Sequence, residues 1–130
     1  MVEVYILNDV VNGILTYSRN IHPREAILLL KGKLDMGKRM IVVSELIIPP
    51  QATHGIGFSS FPLSPLPLDM NILGTMHSHP SGALKPSVTD YNLFYGGLMI
   101  ICSYPYSGVE CMRVYDAKGR EMPFSVRERA

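Results

Sequence analysis

The apolar positions at the start of the chain predict a short extended segment followed by a helix. Residues 4–7 form a short apolar run that fits either a short strand or an extended lead-in to the helix. Asn8 or Asp9 fits the N-cap of a helix that extends to about Asn20. The apolar residues on the inward side of this helix are Val10, Val11, Ile14, Leu15 and Tyr17. His22-Pro23 is expected to end the helix, because a residue before proline avoids helical backbone angles.

Two further apolar runs predict a β-hairpin. Residues 24–31 have no decisive hydrophobic period, but the turn Asp35-Met36-Gly37 follows closely and favours a strand over a helix. Residues 39–48 are rich in β-branched side chains and end at Pro49-Pro50, which is typical of a second strand. We therefore expect these two runs to pair across the turn.

The remaining pattern predicts more strands and a second helix. Residues 53–61 are extended, and the prolines in 61–69 favour a loop. The later elements are a buried strand over 71–79, a helix from Ser87 to about Tyr95, a hairpin of 98–104 with 109–115, and a strand over 121–126. The fold class predicted is α+β with a three-layer α/β/α-like arrangement, in which a mixed, largely antiparallel sheet is flanked by two main helices.

The two cysteines lie on the two arms of the last hairpin. If its turn centres between Tyr106 and Ser107, Cys102 faces Cys111 and a cross-strand disulfide fits the geometry. The favoured alternative is a pair of buried thiols that pack as small apolar groups, since disulfides are uncommon inside cells.

Composition narrows the class of protein. A chain of 130 residues with 47% apolar and 18% charged residues fits one globular domain over residues 1–130. The net charge of +1 argues against a broad surface for nucleic acid or anionic lipid, and no apolar run approaches the ~18 residues of a membrane span. The N-terminal residues lack a signal-peptide pattern. The expectation is a cytoplasmic protein without nucleic-acid or membrane partners.

Three potential metal ligands fall within fourteen residues. His77 and His79 are two apart at a predicted strand end, so both imidazoles lie on one face. Asp90 comes early in the following predicted helix and is able to complete a three-ligand Zn²⁺ site with a fourth position for water. Each part also has a simpler interpretation, since His-Ser-His-Pro fits a polar strand end and Ser87 to Asp90 fits a helix capping box.

The combination resembles the JAMM (MPN+) family of zinc metalloproteases. In the segment that begins His77-Ser78-His79-Pro80, ten residues separate His79 from Asp90, and Ser87 lies three residues before Asp90. Upstream, the stretch His22 to Gly32 resembles the family's glutamate-bearing strand start, and Ser44 to Pro49 and Gly74-Thr75-Met76 also look like prokaryotic members. The resemblance covers nearly the whole chain and implies a cytidine-deaminase-like MPN/JAB fold.

The resemblance also implies roles for five residues. His77, His79 and Asp90 hold one Zn²⁺ per chain, with water as the fourth ligand. Glu25 is the general base, and Ser87 donates a hydrogen bond to the oxyanion of the tetrahedral intermediate. From the residues alone, Glu25 fits a solvated glutamate at a strand start. Glu45 is a rival carboxylate for which an ion-paired role is favoured, and His22 and His54 are interpreted as non-ligands.

The implied activity is that of a metallo-isopeptidase similar to prokaryotic desampylases. Its substrate is the amide bond after the Gly-Gly tail of a ubiquitin-like modifier. One alternative is a peptidase that trims the C-terminus of a sulfur-carrier protein, and another is a non-enzymatic MPN scaffold, against which the intact site residues argue. The chain lacks the long insertions of eukaryotic relatives, so chain-linkage selectivity is not expected. Self-association as a homodimer is left open.

Overall fold

The computed structural model describes residues 2–49, 53–55, 58–60, 72–86 and 97–129. Its elements are β1 (Glu3–Leu7), α1 (Asn8–Ile21), β2 (Ile27–Asp35), β3 (Met40–Ile47), β4 (Thr53–Gly55), β5 (Phe58–Ser60), β6 (Ile72–His79), β7 (Leu98–Ser103), β8 (Met112–Asp116), β9 (Glu121–Met122) and β10 (Phe124–Arg127). A 3-10 turn at Val109–Cys111 precedes β8. The predicted loop over 61–69 and helix over 87–95 lie outside the described residues, among which α1 is the one α-helix.

The strands form one large mixed sheet and one small hairpin. The eight-stranded sheet has the order β10-β1-β3-β2-β6-β7-β8-β9, and β4 pairs with β5 separately. β1 runs parallel to both of its neighbours, β10 and β3, and β6 runs parallel to β7. The other neighbouring strands of the large sheet are antiparallel. The predicted β2–β3 hairpin and the mixed sheet are therefore confirmed, whereas the three-layer arrangement is not tested by the described residues.

The predicted last strand over 121–126 is two strands, and the break closes the sheet. Pro123 separates β9 from β10, because proline has no N–H to donate to a strand ladder. β9 pairs with β8 at one edge of the sheet, and β10 pairs with β1 at the opposite edge. Since one residue joins these two edges, the sheet must curl until they meet.

The curled sheet wraps around α1. The helix buries Val10, Val11, Ile14, Leu15 and Ser18. The four apolar residues of this set share one core with residues from six strands, among them Val4, Ile6, Leu28, Leu30, Val43, Met76, Leu98, Ile100, Cys102 and Val114. The predicted N-cap is wrong by one residue: the helix already begins at Asn8, so Leu7 occupies the N-cap position without a side-chain hydrogen bond. Asp9 instead accepts a hydrogen bond from Arg129 at 2.9 Å.

The observed pairing of β7 with β8 is shifted by one residue from the pairing that would place Cys102 opposite Cys111. Cys102 faces Met112 across the pair, and Cys111 lies in the 3-10 turn. Both cysteines are free and buried. The disulfide interpretation is therefore wrong, and the alternative of two buried thiols is confirmed. Among the described residues, no helix has the length and apolar character needed to cross a membrane.

Candidate metal centre

The C-terminal end of β6 presents two buried imidazoles on one face of the sheet. His77 faces Ile27 of β2 and Ile101 of β7, and His79 faces Ser103 at the end of β7. His77 is fully buried and His79 is 7% exposed. Met76 belongs to the core around α1, and strand residues alternate between faces, so the histidines lie on the face away from α1. The strand pattern predicted this shared face, and the structure has it.

Glu25 lies beside the first histidine. Its carboxylate oxygen Oε1 is 3.7 Å from His77 Nδ1, and the residue is only 6% exposed. Glu25 comes two residues before β2, whose pairing with β6 brings Ile27 opposite His77. The sequence alone favoured a solvated glutamate here, and that interpretation is wrong because strand pairing buries the segment.

The backbone carbonyl of Ala83 orients the second histidine. His79 Nδ1 is 2.9 Å from Ala83 O, a distance at which Nδ1–H donates to the carbonyl. This bond selects the tautomer in which Nε2 carries no proton, the usual arrangement for a metal-binding imidazole. The turn is held by Gly82 N–H, which donates to His79 O at 3.0 Å. Two buried imidazoles on one face are a donor set that suits Zn²⁺.

Two of the predicted site residues lie outside the described part of the chain. Neither Ser87 nor Asp90 is described, and within the described ranges no three His, Cys, Asp or Glu side chains gather as a metal site. The last described residues before them belong to a loop that is tied to β8, because the Tyr115 hydroxyl donates to Leu84 O at 2.7 Å. The ligand set with Asp90 therefore stays a prediction.

The other candidates lie away from this pair or are described only in part. Glu45 faces Lys31 across β2 and β3, with Oε2 and Nζ 3.8 Å apart, and its side chain is 58% exposed. His22 stacks on Tyr104, and its Nδ1 lies 3.0 Å from the Tyr106 hydroxyl. Only the backbone of His54 is described, in β4.

The sequence analysis gave no role to two buried residues with hydroxyl groups, Ser78 and Tyr106. Ser78 accepts a hydrogen bond from Ala26 N–H at 2.7 Å, and Tyr106 is 1% exposed. A signal for Ser78 was present, because alternation in a buried strand turns this hydroxyl toward the apolar core, where it requires a partner. No local pattern pointed to Tyr106.

Comparison with known proteins identifies the class that this fold and site define. The model of the family Prok-JAB, the prokaryotic homologs of the JAB domain, matches residues 7–117. The chain belongs to this family. A protein of Haloferax volcanii described as a probable metalloprotease is 30% identical over an alignment of 121 residues, which covers 89% of this chain and 74% of the relative.

Solved structures agree with the family. A JAB1/MPN domain protein from Archaeoglobus fulgidus is 31% identical with a TM-score of 0.68, over 98% of both chains. A structure described as a JAMM metalloprotease-like zinc site in the proteasome and signalosome is 30% identical with a TM-score of 0.68, over 98% of this chain and 99% of that one. A protein from Desulfitobacterium hafniense shares the fold at 20% identity and a TM-score of 0.73, over 97% and 94% of the two chains.

Proposed function

We propose that this protein is a zinc-dependent metallo-isopeptidase. The observation that carries the proposal is the buried carboxylate of Glu25 3.7 Å from the buried imidazole of His77. His79 lies on the same strand face two residues later. Relatives that are about equally similar to this chain are described as a probable metalloprotease and as a metalloprotease-like zinc site.

His77, His79 and Asp90 would hold the metal ion. The imidazoles are buried at the end of β6, and the bond from His79 Nδ1–H to Ala83 O leaves Nε2 as the donor atom. Asp90 follows from the family spacing. A bound Zn²⁺ supplies Lewis-acid polarisation of a carbonyl and lowers the pKa of water toward neutrality.

Glu25 is proposed as the proton carrier. A carboxylate within reach of a water molecule accepts its proton as that water attacks the amide carbonyl, and then gives the proton to the departing amine. The burial of Glu25 restricts the alternative positions of its side chain and shields the proton from bulk solvent. Ser87 is proposed to donate a hydrogen bond to the oxyanion, a role that follows from the family pattern.

The proposed substrate is the amide bond after the Gly-Gly tail of a ubiquitin-like modifier attached to lysine. The family resemblance supports this substrate class. A tail that ends in two glycines is slender and flexible, so it is able to enter a narrow groove in extended form and pair by its backbone. Trimming of a sulfur-carrier protein with the same tail uses the same bond type and is separated by the test.

The test is a cleavage assay with zinc-loaded protein on paired substrates. One substrate is a ubiquitin-like modifier joined to a lysine side chain, and the other is a sulfur-carrier protein with one extra residue after Gly-Gly. We expect cleavage of the lysine conjugate, loss of cleavage with a chelator, and recovery when zinc is restored. Cleavage of the carrier alone would replace isopeptidase by trimming activity, and no metal-dependent cleavage of either substrate would contradict the proposal.

A further inference from the structure

The backbone next to Glu25 is fixed by a side chain of β6. Ala26 N–H donates to the Ser78 hydroxyl at 2.7 Å, and Ser78 N–H donates to Ala26 O at 2.9 Å. In an antiparallel pair of strands, every second pair of facing residues exchanges two main-chain hydrogen bonds. Here the Ser78 hydroxyl replaces a main-chain carbonyl in one of them. The position of Ala26, and of Glu25 before it, therefore depends on a side chain.

Tyr106 supports Ser78 from the interior. Burial raises the pKa of Tyr106 to about 12, and a hydrogen bond with the Ser78 side chain acts to lower it. The Tyr106 hydroxyl also lies 3.0 Å from His22 Nδ1. The residue has a φ of 57°, an unfavourable value for a side chain of this size, and its carbonyl accepts a 2.6 Å hydrogen bond from Arg19. The surrounding structure therefore holds Tyr106 in one strained conformation.

The side chains of Ser78 and Tyr106 lie on the opposite side of the sheet from His77 and His79. Ser78 alternates with His77 and His79 along β6, so its side chain is on the face that packs around α1. Ser78 is fully buried and Tyr106 is 1% exposed. A substrate on the histidine face does not touch either hydroxyl. The route considered for an effect of these residues on the reaction is the backbone at Ala26, which is hydrogen-bonded to Ser78.

We propose that Ser78 and Tyr106 are positioning residues that hold the Glu25 carboxylate beside His77 by fixing the backbone at Ala26. The inference rests on the proposed function, in which Glu25 carries the proton. Placement of a proton carrier has a large effect on rate, since a displacement of about 1 Å costs on the order of 100-fold. Two buried hydroxyl groups on the α1 side of the sheet are thus able to control kcat without contacting the substrate.

The kinetic test compares Ser78→Ala and Tyr106→Phe with a matched control. Each variant is expected to lower kcat about 10- to 100-fold, with KM within about twofold of wild type and the zinc content per chain unchanged. Ser78→Thr keeps the hydroxyl and is expected to recover most of kcat. Ser18→Ala is the control, because it removes an equally buried hydroxyl from α1, whereas the hydroxyl that accepts from Ala26 N–H is that of Ser78.

The second readout does not depend on zinc or activity. Amide hydrogen exchange at Ala26, followed by NMR, is expected to be faster in Ser78→Ala and in Tyr106→Phe than in wild type. Ser18→Ala is expected to leave it unchanged. The kcat of the double variant Ser78→Ala/Tyr106→Phe is expected to be close to that of the less active single variant. The reason is that both changes act on one backbone position, so their effects do not add.

The outcomes separate the two proposals. If wild-type protein shows no metal-dependent cleavage, the proposed function fails, and the positioning role fails with it. If wild type is active and either variant keeps kcat at the level of Ser18→Ala, the positioning role is overturned while the function stands. Unchanged Ala26 exchange in the variants overturns it as well, whatever the activity.

Discussion

At the scale of single residues, Glu25 and Glu45 show how burial distinguishes two carboxylates of similar sequence context. Glu25 is 6% exposed and lies beside His77, whereas the side chain of Glu45 is 58% exposed and faces Lys31 across two strands. An exposed ion pair of this kind adds little to stability. Only the buried carboxylate lies in a position to transfer a proton at the candidate site.

Replacing Glu25 separates proton transfer from metal binding. Glu25→Gln keeps the side-chain shape but removes the proton acceptor, so kcat is expected to fall by about 100-fold or more while the zinc content stays the same. Glu45→Gln is the matched control and is expected to keep wild-type kcat. His77→Ala is expected to lose zinc. Zinc content and cleavage rate measure both effects, and wild-type turnover by Glu25→Gln would refute the assigned role.

The two cysteines are expected to differ in reactivity. Burial raises the pKa of the Cys102 thiol to about 12. Burial acts to raise the pKa of Cys111 as well, but hydrogen bonds from the Ser107 side chain and nearby backbone amides lower it below the usual value. The thiolate is the reactive form, so iodoacetamide at pH 8 is expected to label Cys111 at least about tenfold faster than Cys102 in folded protein. Mass spectrometry of the labelled peptides checks this.

The labelling has a clear control and a clear contradiction. In a denaturant both thiols are expected to react at similar rates, because the local environments are lost. Faster labelling of Cys102 in the folded protein would contradict the hydrogen bonds to Cys111. Absence of free thiols would instead support the disulfide that the register of β7 and β8 argues against.

At the scale of elements, β6 requires a glycine where it meets β7. Gly74 faces Leu98, and a Cβ atom at this position would lie 1.8 Å from Leu98 O. The nearby Gly97 differs, since a Cβ there meets no atom of the described residues within 4 Å. The sequence does not distinguish these two glycines, whereas the strand pairing does.

The substitutions Gly74→Ala and Gly97→Ala test this difference. Gly74→Ala forces β6 and β7 apart and is expected to lower the free energy of unfolding by about 3 kcal/mol. Gly97→Ala is expected to change it by less than about 0.5 kcal/mol. Urea denaturation followed by circular dichroism measures both values. Equal stability of the two variants would mean that the strands do not approach each other as closely as observed.

At the scale of the whole molecule, closure of the sheet depends on the last strands. β9 and β10 cover opposite edges, and Phe124 packs against the core around α1. Removal of both strands leaves β1 and β8 as open edges and exposes apolar core residues to water. β9 and β10 are therefore part of the large sheet, and Met122 and Phe124 pack against its core.

Truncation tests this closure. A chain that ends at Arg120 lacks both strands and is expected to melt at least about 10 °C lower than the full chain, or to lose its cooperative transition. A chain that ends at Glu128 keeps both strands and serves as the control, with a melting temperature close to that of the full chain. Thermal unfolding by calorimetry measures both. A stable, cooperative chain ending at Arg120 would contradict the role of β10 in closing the sheet.

The sequence by itself determined most elements and the histidine pair. Short apolar runs indicated β1 and β6, and the turn at residues 35–37 favoured the β2–β3 hairpin. The hydrophobic period predicted α1, because this local pattern reflects which side chains turn inward. Alternation along β6 put His77 and His79 on one face for the same reason. The family resemblance added Glu25, Ser87 and Asp90, and only the first of these lies in the described residues.

The tertiary structure decided what depends on pairing between distant segments. The register of β7 and β8 separated Cys102 from Cys111, since a shift of one residue changes every cross-strand pair. The break at Pro123 sent β9 and β10 to opposite edges, which no local pattern encodes. Burial of Glu25, and its support through Ser78 and Tyr106, arises only when β2, β6 and the segment after β7 come together.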